Sequence, residues 1–343
     1  MTDINSIISK IKHEEDIPLI LAAYNLAHKN LMFDYTYDNK PLMEYLLGVT
    51  DILLEFNAEA STIAGNFLYM LTNYGFDKKK ITKYFYKSIA DVTWGMYKYK
   101  DYTKDNLDQI MPNIDEGNQI MFIKLAQRLY DMRLKKDAPI GVKQSLANNT
   151  LEAFIPAGRK LGFGYISSRL EDLSFYYLEP EIYDDILSKL GEPIDSLTNK
   201  LVTTKDEISK LLIDNNINHE IKTRVKSVYS VYSIYNKIRG GKDFDDIYDI
   251  LAIRILVDDE ADCETAINLI HNHYEYLPDR FKNYIENPKE NMYQSLHTTI
   301  IGEGKRPYEV QVRTPEMDKT AETGSASHIE YKEKQLIKST SNY

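Results

Sequence analysis

The apolar residues of this chain change their period once, between about residue 190 and residue 217, and that switch divides the fold into two kinds of structure. Up to about residue 190 they recur at three- and four-residue spacing with no sustained alternation, which reads as one amphipathic helix after another. Segments 17–30, 41–56, 60–75, 80–99, 117–135 and 142–160 each fit such a helix, and 169–193 adds two more, broken near Pro180. Asp3 or Asn5 suits the cap of a first short helix. Gly191 and Pro193 mark a boundary, and a charged helix over 196–214 enters the second part. From residue 217 the pattern alternates. A short strand passes into a basic helix, DILAIRILV (249–257) reads as a buried strand, and 259–274 as a helix. A strand ending at Gly302 precedes a partner strand at 308–314, and a last helix begins near Pro315. The expectation is an α+β chain: an all-helical domain at 1–195, then an α/β domain with a mixed sheet at 196–343.

Composition narrows the function. The single cysteine, Cys263, excludes an internal disulfide or a cysteine-cluster metal site, and fits a reducing, cytoplasmic compartment. The first residues are polar and charged, unlike a secretory signal, and the strongest apolar run, 17–27, is too short to span a bilayer. No membrane association is expected. A net charge of −10 argues against DNA binding by the surface as a whole. Yet residues 222–242 hold Lys222, Arg224, Lys226, Lys237, Arg239 and Lys242 with no acid among them. A local polyanion such as a triphosphate explains that patch. On composition alone, a solvated helix face balanced by the acids that follow explains it equally well.

Four blocks follow in fixed order: FDDIYDILAIRILV (244–257), RFKNYIENPKENMYQSLHTTI (280–300), YEVQVRT (308–314) and AETGSASHIEYKE (321–333). Two are strand patterns with a carboxylate at or near the start, Asp249 and Glu309. The block between them reads as a loop and helix start rich in cations and amides. Alternation puts Glu309, Gln311 and Arg313 on one face of their strand and Val310 and Val312 on the other. Magnesium asks for one or two carboxylates and completes its shell with substrate oxygens and water, a requirement this pair meets.

Over roughly the last 120 residues the chain resembles the synthetase domain of the Rel/SpoT family, which moves pyrophosphate from ATP to the ribose 3′-hydroxyl of GDP or GTP. The resemblance implies a nucleotidyltransferase-like fold and Mg2+ as cofactor. It makes Asp249 and Glu309 the essential magnesium acids, with Glu309 also orienting or deprotonating the acceptor hydroxyl. It sets Arg224 and Arg254 beside the adenine, where guanidinium planes stack well. Lys226 and Lys237 fall on the ATP phosphates. Arg280 and Lys282 fall on the acceptor phosphates, with Asn291, Gln294 and His297 nearby, and Tyr293 on the guanine. The family's run of Arg-x-Lys-x-x-x-Ser-Ile-x-x-Lys is interrupted here by a repeated Val-Tyr-Ser triplet. Either Lys237 or the Arg224/Lys226 pair is therefore displaced by most of a helical turn, about 4–5 Å.

The helical part resembles the family's HD-type manganese hydrolase domain at 27–30, 123–133, 151–162 and 169–186. Its metal ligands are missing. Tyr69 and Met70 stand at the His-Asp pair, Asn73 and Tyr74 at the following Glu-Asp, Tyr45 at the upstream histidine and Gln127 at the distant aspartate. These side chains are poor manganese ligands, so a hydrolase without activity is expected. The expected activity is synthesis of guanosine tetra- or pentaphosphate alone. Two alternatives stay open: a toxin-like enzyme acting on adenine nucleotides or the tRNA 3′ end, and a non-catalytic alarmone-binding regulator. A ribosome or regulatory partner enters only with a C-terminal half outside this chain.

Overall fold

The computed structural model describes residues 3–99, 114–237, 244, 247–290 and 292–321, and of residues 114–117, 236 and 237 the backbone alone. The chain forms two compact units, Met1–Pro180 and Glu181–Tyr343. The fold is α+β: the described residues of the first unit form helices around one core, and the second unit is built on a five-stranded mixed sheet.

In the first unit the helices Ile17–Leu31, Leu42–Glu55, Ala60–Leu68, Lys87–Lys98, Ile114–Leu134 and Gly164–Leu178 supply most of the buried side chains, among them Leu46, Ile63, Phe67, Leu125 and Leu170. Asp3, rather than Asn5, caps the first helix by accepting from the Ser6 amide. Two predicted helices are interrupted. The segment 60–75 is helical to Leu68, tightens into a 3-10 turn over Tyr69–Tyr74, and stops at Gly75, whose φ of 75° suits a residue without Cβ. The segment 80–99 is split into Lys78–Ile81 and Lys87–Lys98. Between Ile140 and Lys160 the chain stays helical but widens to a π turn over Thr150–Phe154, just before Pro156. Proline has no amide hydrogen and crowds the carbonyl one turn back, and a wide turn relieves both problems.

In the second unit the strand order is β1-β2-β5-β4-β3. The strands are β1 His219–Val225, β2 Leu251–Val257, β3 Lys282–Asn283, β4 Leu296–Ile301 and β5 Pro307–Arg313. β2 and β5 run parallel, and the other three pairings are antiparallel. Leu251, Ile253, Ile255, Val310, Val312 and Tyr308 are fully or almost fully buried on one face, packed with Leu201, Ile208 and Leu212 of the helix Ile194–Asp214 and Cys263, Ile267 and Ile270 of the helix Glu260–His273. Burying this face is the main source of the unit's stability. Among the described residues of 280–300 no helix starts, and only the end of a 3-10 turn at Pro278–Arg280 reaches into the block. The segment instead forms β3 and enters β4, because Leu296, Thr298 and Ile300 alternate into the core.

The opposite face carries the polar residues, and register sorts them into rows. One row runs Arg224, Ala252, Glu309, Thr299 across β1, β2, β5 and β4. The next runs Lys222, Arg254, Gln311, His297, Lys282 across all five strands.

Candidate active site

Glu309 sits on β5, a central strand, so its position is fixed by ladders on both sides. Asp249 lies two residues before β2, which runs parallel to β5 with Ala252 opposite Glu309, so both carboxylates belong to the same end of the sheet. Lys226 joins them. Its backbone amide donates to the Ile250 carbonyl at 2.7 Å, which fixes the chain at the end of β1. Its ammonium donates to Asp249 Oδ2 at 2.5 Å, and it also acts electrostatically on Glu309. Arg224 and Lys226 are thus placed by the sheet. The repeated Val-Tyr-Ser triplet lies in the helix Val228–Lys237 that follows them. The Lys237 side chain lies outside the described residues, as does Asn291.

Glu309 heads a short polar chain. Its Oε1 is 3.2 Å from His297 Nδ1, its Oε2 accepts from Gln311 Nε2 at 3.0 Å, and His297 Nε2 is 2.7 Å from the Tyr293 hydroxyl. A hydrogen on Nδ1 is donated to Glu309, while Nε2 accepts from the Tyr293 hydroxyl in the neutral ring and donates to its oxygen in the charged one. Burial alone would push the Glu309 carboxyl up. The His297 bond and charge, the Gln311 amide and the Lys226 ammonium outweigh it and hold the group below its ordinary value. Glu309 is therefore ionised at neutral pH.

The loop before β4 is shaped by Asn283, whose Oδ1 accepts from the amides of Ile285 and Glu286, both at 3.0 Å. Tyr284 sets its ring edge-on to Tyr293 and His297. The Lys289 ammonium is 5.0 Å from the Tyr293 ring centre and the Arg313 guanidinium 5.5 Å, so the ring is a cation-bearing aromatic surface. Arg280 Nε donates to Thr299 Oγ1 at 3.2 Å, and its guanidinium lies 4.1 Å from the ring centre of Tyr248, the neighbour of Asp249. Arg280 thereby reaches the Glu309 row, in which Thr299 is the register partner of Glu309. Lys282 is exposed on β3 opposite His297, and Gln294 donates from Nε2 to the Ile285 carbonyl at 3.4 Å.

Arg254 Nη1 donates to Asp318 Oδ1 at 3.1 Å. Neither Asp318 nor Tyr248 stands out in the sequence, because strand register and the turn after β5 create these contacts, and no spacing along the chain encodes them.

Among the described residues no group of three or more His, Cys, Asp or Glu side chains is arranged to hold a metal ion. Asp249 and Glu309 offer oxygen donors only. Such a pair suits magnesium, which takes one or two carboxylates and fills its shell with substrate oxygens and water.

In the helical unit, three of the positions where the resemblance puts metal ligands come together as hydrogen-bonded side chains. Gln127 Nε2 donates to the Tyr69 hydroxyl at 3.1 Å, and the Tyr45 hydroxyl bonds the carboxylate of Asp131. Burial pushes the Tyr69 hydroxyl up to about 12, against the opposing effect of the Gln127 bond. It also pushes the Asp131 carboxyl up, which the Tyr45 bond counters. Met70 packs against the core, and Tyr74 donates to Asp34.

The chain is similar in sequence to known proteins. The family model described as "Region found in RelA / SpoT proteins" matches residues 223–336. A GTP pyrophosphokinase of Myxococcus xanthus is 32% identical, over 96% of this chain and 45% of that protein. A probable guanosine-3′,5′-bis(diphosphate) 3′-pyrophosphohydrolase of Synechocystis sp. is 33% identical, over 86% of this chain and 40% of that protein. Among solved structures, the small alarmone synthetase 1 from Bacillus subtilis bound to pppGpp is 19% identical and covers 40% of this chain and 82% of that one, with a TM-score of 0.32. The chain belongs to the RelA/SpoT family. It spans less than half the length of these two curated relatives. Among the described residues no helix is long and apolar enough to cross a membrane.

Proposed function

We propose that residues 196–343 form a pyrophosphokinase that transfers the β,γ-pyrophosphate of ATP to the ribose 3′-hydroxyl of GDP or GTP. The observation that carries this reading is the convergence of Asp249, Lys226 and Glu309 at one end of a polar sheet face, with Arg224, Arg254 and Arg280 in the same or adjoining rows. In the reaction the 3′-oxygen bonds to the β-phosphorus, the bond from that phosphorus to the α-β bridging oxygen breaks, and AMP leaves. The hydroxyl proton passes to a base. Glu309 is ionised and its other contacts fix its direction, so it holds the hydroxyl by accepting its hydrogen bond. A carboxyl held below its ordinary value is a weak base, which makes alignment its larger contribution. Asp249 and Glu309 would hold magnesium, which neutralises phosphate charge and favours departure of AMP. Lys226, Arg224 and Arg254 serve the donor nucleotide; Arg280, Lys282, Tyr293, Gln294 and His297 serve the acceptor.

We further propose that residues 1–195 have no hydrolase activity. Gln127 bonds Tyr69, Tyr45 bonds Asp131, and Met70 offers no hard donor, so these positions make no ligand set for manganese. Relatives bearing both kinase and hydrolase names match this chain at similar identity, and this polar plug is the feature that favours synthesis alone. Incubating the chain with labelled ATP, Mg2+ and GDP or GTP, and separately with guanosine tetraphosphate and Mn2+, tests both halves. Absence of a guanosine 3′-pyrophosphate product refutes the first half, and chelator-sensitive release of pyrophosphate refutes the second.

A further inference from the structure

Asp318 lies on the helix that begins at residue 315, directly after β5, and nothing in the chemistry above assigns it. It is the shared acceptor of three cations drawn from three adjacent strands. Lys222 of β1 reaches Oδ2 at 3.3 Å, Arg254 of β2 reaches Oδ1 at 3.1 Å, and Arg313 of β5 bonds Oδ1 through Nη2. Burial alone would push its carboxyl up. Arg313 first, then Arg254 and Lys222, hold it below the ordinary carboxylate value, so it stays charged.

The three cations differ in what they need from it. Arg313 is 1% exposed and 5.5 Å from the Tyr293 ring centre, so its charge requires an interior counter-ion. Arg254 and Lys222 are 30% and 41% exposed on the polar sheet face, within reach of solvent. For these two the carboxylate supplies direction more than stability. Asp318 is itself only 8% exposed and is anchored by the buried Arg313, so it cannot follow a moving surface side chain. Arg254 stands two residues beyond Ala252, the register partner of Glu309, and so on the same sheet face in the adjoining row. Its guanidinium is thus pinned at the border of the carboxylate row.

We propose that Asp318 is a positioning residue for the donor nucleotide: fixed through Arg313, it holds the Arg254 guanidinium in one orientation over the polar sheet face, ready to meet the base of ATP. The proposal rests on the pyrophosphokinase reading above. A bare structural role predicts something different, namely that Asp318 only neutralises Arg313.

The test uses the full chain, with ATP varied at saturating GDP, GDP varied at saturating ATP, and a melting curve for each variant. Asp318→Asn should raise the ATP KM by about 5- to 20-fold and change the GDP KM by less than about 2-fold, the size of coupling usual between residues in contact. Asp318→Glu, which keeps the charge, should recover most of that loss. In an Arg254→Ala background the same Asn substitution should add less than about 2-fold to the ATP KM, because the side chain it acts through is gone. The fall in melting temperature should appear in both backgrounds, since it comes from Arg313. If Asp318→Asn does not fold, Arg313→Gln with Asp318→Asn removes the buried charge together with its partner and should still raise the ATP KM. An unchanged ATP KM in a folded variant, or an equal rise with and without Arg254, overturns the proposal. A parent chain that makes no product overturns the pyrophosphokinase reading, and the proposal with it; a working parent with an indifferent Asp318 variant overturns the proposal alone.

Discussion

The contact between His297 and Glu309 gives a prediction in pH. The His297 bond and charge are the largest influences holding the Glu309 carboxyl down against burial, and Nδ1 lies 3.2 Å from Oε1. Replacing His297 with alanine removes the bond while leaving the carboxylate mostly buried, so its pKa must rise. A hydrogen bond involving a charged group contributes about 1.5–3 kcal/mol. Because the ionised form of Glu309 is the working one, the acid limb of the rate profile should move to higher pH. His297→Asn keeps a donor near the Nδ1 position but carries no charge and loses the reach to Tyr293, so its limb should fall between those of the parent and the alanine variant. The assay is the initial rate of pyrophosphate transfer from labelled ATP at fixed ionic strength across about pH 5 to 9, with both nucleotides saturating so that weaker acceptor binding does not enter. Equal limbs for the alanine variant and the parent, with measurable activity in both, would refute the assignment of Glu309 as the group that titrates.

The remaining predictions concern other parts of the chain. Asp249→Ala and Glu309→Ala should each cut synthesis by on the order of 10²-fold or more, with an intact melting transition because their side chains are 39% and 24% exposed; more than about a tenth of parent activity in either folded variant would remove that residue from the site. Equilibrium dialysis with Mn2+ should find no stoichiometric metal on the chain in the absence of nucleotide. Tyr293→Ala should raise the acceptor KM by roughly 5- to 100-fold and the ATP KM far less, as loss of base stacking does. Tyr293→Phe should be milder, with any residual effect traced to the hydroxyl bond to His297. Equal loss for both substrates would make Tyr293 a packing residue.

The helix-to-sheet switch was legible because burial leaves a period in the sequence. The same logic located the strand 249–257 to within two residues of β2, since Leu251, Ile253 and Ile255 face the core. Helix interruptions were not legible, because Gly75 and Pro156 act on backbone geometry while the apolar pattern around them runs on unbroken. The helix start expected in the 280–300 block failed for a related reason: its charges and amides hid the alternation of Leu296, Thr298 and Ile300, which only a partner strand makes visible.

The same distinction explains which parts of the candidate site could be read in advance. Asp249, Glu309 and His297 each sit in a dense local block, so the chain itself advertises them. What binds them together does not lie along the chain. Lys226 meets Asp249 across 23 residues, and Lys222 meets Asp318 across 96. Sheet register alone lines up Arg224, Ala252, Glu309 and Thr299. A site assembled on a sheet therefore shows its reactive groups in sequence and hides the counter-charges that orient them. In this chain the hidden groups, Asp318 beside Arg254 in one unit and Asp131 beside Tyr45 in the other, are both carboxylates held in the interior by contacts that only the folded chain creates.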